Sequence, residues 1–149
     1  MRYSAWALSL LGLLLLAPSR ARAQDCSPKD KVALCRNYPN PFNPETFIPF
    51  RLEGDLFASG QKPVVSIRIY NVLAQVVAVP ILQGSGDRLD NLPLAWNGSG
   101  TYTAYWDGKY QATDREAASG VYLYQLTIQW VEDGKARSQT SSKKMTVAK

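Results

Sequence analysis

The sequence predicts an all-β fold, an antiparallel β-sandwich of immunoglobulin-like type with about seven strands. After residue 23, apolar and polar residues alternate in short segments, and no stretch has the period of an amphipathic helix. Glycine, asparagine, aspartate and proline separate these segments. The remaining chain is about one domain long, and a series of short strands in one domain is typical of a sandwich.

Residues 1–23 are predicted to be a signal peptide. Arg2 is followed by a leucine-dominated run from Ala7 to Ala17, and then by Ala21-Arg22-Ala23, which fits an A-x-A cleavage site. The apolar run is short for a membrane span, which makes a transmembrane anchor the weaker interpretation. We therefore expect an exported protein that crosses the periplasm to the cell surface or the medium.

Composition argues against several classes of function. The net charge of +5 includes three arginines of the predicted signal peptide, so a mature chain from Gln24 would carry +2. Lysine and arginine are scattered, with Lys143-Lys144 the only adjacent pair, so nucleic acid is not an expected partner. The chain has no histidine and no glycine-rich phosphate loop. We predict no enzyme, no cofactor and no small-molecule substrate.

Residues 24–36 form a short segment before the sandwich and hold both cysteines. Because an exported protein matures in an oxidising compartment, Cys26 and Cys35 are predicted to form a disulfide. Closing a loop of this length would stabilise the fold by roughly 2–3 kcal/mol. A metal site is not expected there, because two cysteines without histidine do not complete a zinc site.

Six segments carry the alternation of half-buried strands. They are residues 47–52, 65–70, 75–79, 101–106, 121–131 and 138–147. Pro49 cannot donate to a ladder, so the first of these strands is predicted to lie at a sheet edge. Glu132-Asp133-Gly134-Lys135 predicts a hairpin turn between the last two strands.

The intervening residues 53–63, 83–100 and 109–119 are rich in polar residues or glycine and are predicted to be loops. Three leucines in the second loop are expected to tuck beneath it: Leu89, Leu92 and Leu94.

The segment Tyr38-Pro39-Asn40-Pro41-Phe42-Asn43-Pro44 is a rigid, non-helical lead-in to the first predicted strand. Its prolines fix φ and favour extended conformations in the residues before them. Its asparagines can form Asx-turns with the backbone. Four more strings follow in order: IRIYNVLAQV from Ile67, GTYTAYWDG from Gly100, ASGVYLYQL from Ala118 and KKMTV from Lys143.

These five strings, in this order, resemble the type A C-terminal sorting domain of type IX secretion cargo. They also resemble the related immunoglobulin-like domain of the flagellar hook-capping protein. The resemblance spans residues 37–149 and includes, besides the proline-rich segment, Trp106, Asp107, Gly108, Ser119, Gly120 and Tyr122. Ala74 departs from the pattern, because the family commonly has glycine there. If that turn needs a positive φ, alanine costs roughly 1 kcal/mol.

The resemblance implies a non-catalytic module that directs or anchors protein at the cell surface, with secretion machinery or surface proteins as partners. In that family the last strand is part of the recognised signal. The matching candidate recognition residues are Lys143, Lys144, Met145, Val147 and Lys149. On composition alone, these lysines protect an edge strand from aggregation. The hook-capping relative implies instead a structural module for adhesion or assembly, for which homo-oligomers are expected.

Two other kinds of site have simpler structural explanations. An aromatic face of Tyr122, Tyr124, Trp130, Trp106 and Tyr102 could bind sugar, but alternating aromatic residues are more often core, so a carbohydrate-binding module is the least favoured alternative. More exposed aromatic contacts are expected at Tyr70, Trp96 and Tyr105. Acidic residues 107, 114 and 116 match no ion-binding loop, and Asp107-Gly108 is more simply a turn, so no metal site is predicted.

Overall fold

The computed structural model describes residues 26–28 and 30–149, which form two antiparallel sheets packed against each other. This architecture confirms the predicted all-β sandwich. The predicted signal peptide at residues 1–23 lies outside the described residues. Within the described part of the chain, no helix is long and apolar enough to cross a membrane.

Nine strands are present in the described residues. They are β1 (Val32–Leu34), β2 (Thr46–Leu52), β3 (Val64–Tyr70), β4 (Val76–Ala78), β5 (Ile81–Leu82), β6 (Leu92–Pro93), β7 (Thr101–Trp106), β8 (Gly120–Glu132) and β9 (Lys135–Val147). A 3-10 helix spans Gly54–Gly60 between β2 and β3. Strands β1, β5 and β6 have only two or three residues, too few for an alternating pattern to reveal them. The structure therefore has more strands than the seven or so expected.

The strand order is that of an immunoglobulin-like sandwich. One sheet has the order β1-β2-β7-β5 and the other β4-β3-β8-β9, with β6 paired to the start of β3. They correspond to the ABED and GFC sheets of constant-type domains, with two short strands, β4 and β6, added beside strand C, which is β3. Because Val147 pairs with Gly120, the end of β9 returns to the end of the sandwich where β8 begins.

The strand that contains Pro49 does not lie at a sheet edge, so that prediction is wrong. β2 lies between β1 and β7, and Pro49 opposes Thr103. On its other side, the Pro49 carbonyl accepts a hydrogen bond from the backbone N–H of Cys35 at 3.0 Å. In an antiparallel ladder the N–H and C=O of one residue point to the same side. The missing N–H of Pro49 therefore faces Cys35, beyond the end of β1, and removes no bond to β7.

The core consists of the inward-facing residues of both sheets. Four members of the predicted aromatic face are buried, which supports the core interpretation over the sugar platform: Tyr102, Trp106, Tyr122 and Tyr124. Trp130, the fifth, is only partly buried. Beneath the loop at residues 83–100, Leu89 and Leu94 are buried, and Leu92 packs partly buried against them and the rest of the core.

The turn between β3 and β4 requires a positive φ at Ala74, which is the condition under which alanine is less stable than glycine there. Ala74 has φ +59°. The alanine Cβ is crowded against the following carbonyl in this left-handed conformation, whereas glycine adopts it without that penalty. Ala74 is therefore a strained position in an otherwise regular hairpin.

Replacing Ala74 with glycine is expected to raise the free energy of unfolding by roughly 1 kcal/mol, because the strain is removed. Urea denaturation of the two proteins measures the difference. Ala112→Gly is the matched control, since Ala112 is also exposed in a loop but does not have a positive φ. That change is expected to have the opposite sign. A loss of stability for Ala74→Gly would contradict the left-handed turn.

The predicted disulfide between Cys26 and Cys35 is present, with Cα atoms 5.2 Å apart. The segment is also fixed to the core by Tyr124. The Tyr124 hydroxyl donates to the Cys35 carbonyl at 2.8 Å and accepts from the backbone N–H of Asn37 at 3.0 Å. One fully buried phenol therefore satisfies two backbone groups from the segment before β2.

Tyr124→Phe is expected to lower the free energy of unfolding by about 1–3 kcal/mol, because the Cys35 carbonyl and the Asn37 N–H lose this partner. Burial also raises the pKa of Tyr124 to about 12. A raised pKa means that this stabilisation is complete below pH 10 and is lost as the pH rises from 10 to about 12. Urea denaturation between pH 7 and 12 measures both effects, and the variant should lose stability less steeply in that window.

The matched control for Tyr124→Phe is Tyr105→Phe. The Tyr105 hydroxyl also donates a hydrogen bond, to Glu45 at 2.6 Å, but that bond is exposed. Its loss at pH 7 is expected to cost less than about 1 kcal/mol. Equal losses in the two variants would contradict the role assigned to the buried phenol.

Candidate functional site: the proline-rich segment and the terminal strand

The proline-rich segment and the end of β9, about a hundred residues apart in the chain, are hydrogen-bonded to each other. The N–H of Phe42 donates to the carbonyl of Thr146, and the N–H of Ala148 donates to the carbonyl of Phe42, both at 3.0 Å. Phe42 and Val147 form an isolated parallel bridge. The side-chain oxygen of Asn40 accepts from the N–H of Thr146 at 3.0 Å. The segment thus covers the outer edge of β9 at its last residues.

The Phe42 side chain anchors this contact in the core. It is 2% exposed and packs edge-on against Trp106, with ring centroids 5.5 Å apart. Trp106 in turn packs edge-on against Tyr122 at 5.8 Å. Three residues from separate strings of the sequence therefore form one aromatic cluster beneath the proline-rich segment.

The Asp107-Gly108 turn supports the segment from its other side. The Asp107 side chain accepts from the N–H of Lys109 at 3.0 Å, as in an Asx-turn. Gly108 has φ +77°, and a Cβ at this position would lie 1.9 Å from the Pro44 carbonyl oxygen. Only glycine satisfies both requirements, which explains a glycine at this place in the string.

The chain terminus is tied to the loop before β8. The N–H of Lys149 donates to the Ser119 hydroxyl at 3.2 Å, and its ammonium group donates to Glu116 at 2.9 Å. The Lys149 ammonium lowers the pKa of Glu116. Gly120, which follows Ser119 and opens β8, has φ +146°. The last residues of the chain are therefore ordered by contacts to the start of β8.

Tyr122, at the base of this region, is hydrogen-bonded to a second tyrosine. The hydroxyls of Tyr110 and Tyr122 lie 2.9 Å apart, and the Tyr122 hydroxyl also donates to the Ala118 carbonyl at 3.0 Å. Burial, followed by the hydrogen bond to Tyr110, raises the pKa of Tyr122. Tyr122 is thus a neutral structural group that joins the loop to β8, rather than an exposed binding residue.

The candidate recognition residues of the tail separate into two groups. Met145 and Val147 are buried in the core. Lys144 and Lys149 are exposed and Lys143 is half-buried. Only the three lysines can therefore be read directly by a partner, while the two apolar residues hold the strand in place.

The proline-rich segment separates in the same way. Phe42 is buried, while its polar and proline neighbours are exposed on the same end of the sandwich: Tyr38, Pro39, Asn40, Pro41, Asn43 and Pro44. Tyr38 is 47% exposed and stacks on Phe47, with centroids 5.6 Å apart. The segment therefore presents a surface of prolines and asparagines beside the lysine-bearing end of β9.

A buried polar network at the base of the segment is not evident from the sequence. The Asn37 amide donates to the Thr46 hydroxyl at 3.1 Å, and that hydroxyl donates to the Pro39 carbonyl at 3.1 Å. Asn37 and Thr46 are both buried. Polar residues immediately flanking a proline-rich segment were the only signal, since their burial depends on strands that are distant in sequence.

The structure does not assemble the other candidate sites. Asp114 forms an ion pair with Lys109 at 3.6 Å and Glu116 with Lys149, so these carboxylates have separate partners. Among the described residues, no three acidic, cysteine or histidine side chains are grouped as a metal site. Of the aromatic residues expected at the surface, Trp96 is 47% exposed, whereas Tyr70 and Tyr105 are half-buried.

No protein-family model matches the chain, and no curated protein matches it at a significant level. What the chain does is therefore inferred from the residues and the geometry of this region.

Proposed function

We propose that the protein is a non-catalytic, exported β-sandwich whose sorting signal is the joint surface of the proline-rich segment and the terminal strand. The observation that carries the proposal is the pair of backbone hydrogen bonds between Phe42 and residues 146 and 148. They hold the segment against residues 146–148, two to five residues along the chain from Lys143 and Lys144. The proposed partner is the secretion machinery of the outer membrane or a surface protein, and the destination is the cell surface or the medium.

A signal of this kind is complete only after folding. The two segments lie near opposite ends of the sandwich sequence and meet only when β2, β7, β8 and β9 are in place. A partner that contacts both segments at once therefore binds the folded sandwich in preference to the unfolded chain. This gives the secretion apparatus a means of selecting folded protein.

The proposal is tested by exchanging the tail lysines without disturbing the core. Lys143→Gln combined with Lys144→Gln is expected to reduce surface exposure of a reporter fused to residues 24–149 behind a signal peptide by several-fold. The physical reason is the loss of two positive charges, which would pair with opposite charges of the partner when the interface between them loses its water. The host must possess type IX secretion, and surface protease access is the measurement.

The matched control exchanges Lys135 and Arg137 for glutamine at the opposite end of the same strand. This control is expected to reach the surface normally. A truncation that ends at Ser142 is less informative when it fails, because it also removes the buried Met145 and Val147. Surface exposure of that truncated protein, or of the Lys143/Lys144 double variant at the normal level, would contradict the proposal.

A structural or adhesion module is the second candidate, and the free part of β9 favours it. Among the described residues, no strand pairs with the outer edge of β9 before its contact with Phe42 near the end. Such an edge can accept a strand from a neighbour. Sedimentation at increasing concentration tests this function, which requires oligomers; a monomer throughout would exclude self-assembly by this edge.

A further inference from the structure

The turn between β3 and β4 displays two large apolar side chains to solvent. Val72 is 77% exposed and Leu73 is 73% exposed, more than any other large apolar residue among those described. Two adjacent apolar side chains that are so exposed in a turn contribute little to the core. Such a feature is typical of a contact surface.

The turn is held rigidly by one asparagine. The side-chain oxygen of Asn71 accepts from the N–H groups of Leu73 and Gln75, each at 3.0 Å, and its amide donates to the Gln75 side chain at 2.9 Å. The backbones of Asn71 and Gln75 are also hydrogen-bonded at 3.0 Å. Val72 and Leu73 are therefore presented in a fixed conformation, which lowers the entropy lost on binding.

An apolar row continues from this turn across the outer face of the sheet. Val76 pairs with Tyr70, and Tyr70 pairs with Leu123 on β8. Val76 is 51% exposed, Leu123 is 40% exposed, and Val121 next to it on the same face is 45% exposed. The exposed turn and this row together make one apolar margin at the end of the sandwich.

The charges beside this margin have one sign. Leu123 pairs with Lys144 on β9, and among the described residues no carboxylate forms an ion pair with Lys144. The outward-facing positions of β3, β8 and β9 include no aspartate or glutamate. Asp90, from the neighbouring loop, is already paired with Arg68 at 3.1 Å. The apolar margin therefore ends on an uncompensated cation.

We propose that this margin docks on an anionic phospholipid bilayer, with Val72 and Leu73 inserted below the headgroups and Lys144 at the headgroup level. Val72 and Leu73 lie outside the cavity beside the turn, which is lined by Asn71, Gln75, Val76, Val77 and residues 110–113. Two side chains exposed outside a cavity suit a fluid bilayer, which needs no matching shape. Apolar side chains gain by leaving water, and a lysine beside them is attracted to anionic headgroups. The half-buried Tyr70 suits the interface, because its ring is apolar and its hydroxyl polar. This inference does not depend on the proposed sorting function.

The test is cosedimentation of the chain from Gln24 onward with lipid vesicles. This chain keeps every contact described above and omits the leucine-rich residues 7–17, which would bind lipid themselves. The vesicles are phosphatidylcholine with about 30% phosphatidylglycerol, and pure phosphatidylcholine serves for comparison. Binding is expected to the anionic vesicles and to weaken at high salt, which screens the attraction to Lys144.

Two variants address the two parts of the margin. Val72→Asn combined with Leu73→Asn is expected to weaken binding about 100-fold, and Lys144→Gln about fivefold. Val131→Asn is the control for the first, because Val131 is 54% exposed on the same strand and face as Leu123 but at the far end. Lys135→Gln is the control for the second. Both controls are expected to bind normally, and circular dichroism verifies that all variants are folded.

Failure of the parent chain to bind anionic vesicles would overturn the proposal and leave the turn as a contact for a protein partner. Equal binding to neutral and anionic vesicles would also overturn it, because such binding would not depend on the charge of Lys144. An equal loss of binding in Val131→Asn and in the Val72/Leu73 variant would overturn it too, because Val131 lies outside the margin. None of these results bears on surface sorting, which is measured by protease access in cells.

Discussion

Phe42→Ala is expected to lower the free energy of unfolding by about 3–5 kcal/mol, a large part of the stability of a domain of this size. The side chain is 2% exposed and packs on Trp106, so its removal leaves a cavity beneath the proline-rich segment. The alanine keeps the two backbone hydrogen bonds to the end of β9, but these bonds lose the buried side chain that anchors the segment beside them. Urea denaturation gives the stability change.

Tyr38→Ala is the matched control for Phe42→Ala. Tyr38 is an aromatic residue of the same segment but is 47% exposed, with only Phe47 stacked on it. Its replacement is expected to cost about 1 kcal/mol or less. If the two variants lose similar stability, Phe42 is not the anchor that the packing indicates.

Gly108→Ala is expected to cost more than about 3 kcal/mol, from two separate causes. The positive φ of +77° penalises any Cβ by roughly 1–2 kcal/mol. The Cβ would also lie 1.9 Å from the Pro44 carbonyl oxygen, so the proline-rich segment must move away from the turn. The midpoint of urea denaturation, with an unchanged slope, measures this loss.

Gly134→Ala separates these two causes. Gly134 has a similar φ of +73°, but no atom lies within 4 Å of the position that its Cβ would take. Its replacement should therefore cost only the roughly 1–2 kcal/mol of backbone strain. The difference between the two variants measures the close approach of Pro44. Equal losses would show that the segment does not pack against the Asp107-Gly108 turn.

These two predictions also bear on the proposed function. Phe42 and Gly108 are buried, and both act on the position of the exposed proline-rich segment relative to β9. If the joint surface is the sorting signal, a Gly108→Ala protein that stays folded should reach the surface less efficiently than the Gly134→Ala protein. The pair thus distinguishes recognition of the assembled surface from recognition of the tail alone.

The sequence alone was sufficient for the class of fold and for most long strands. Alternation identifies β2, β3, β7, β8 and β9, because inward and outward residues of a half-buried strand differ in polarity. The pairing of the two cysteines followed from the expected compartment and is present. The strain at Ala74 was predicted only for the case that its turn has a positive φ. The sequence did not decide that case, because the type of a turn depends on how the flanking strands pair.

Only the tertiary structure decided the position of Pro49 and the meaning of the proline-rich segment. A missing N–H is harmless or costly according to which neighbour it faces, and no local pattern contains that information. In the same way, Phe42, Gly108 and Val147 are unremarkable alone, and their contact depends on strands that pair across about a hundred residues. The sequence by itself determined which residues are apolar, rigid or charged. The packing of the two sheets determined which became core and which became surface, because burial depends on partners that are distant in the chain.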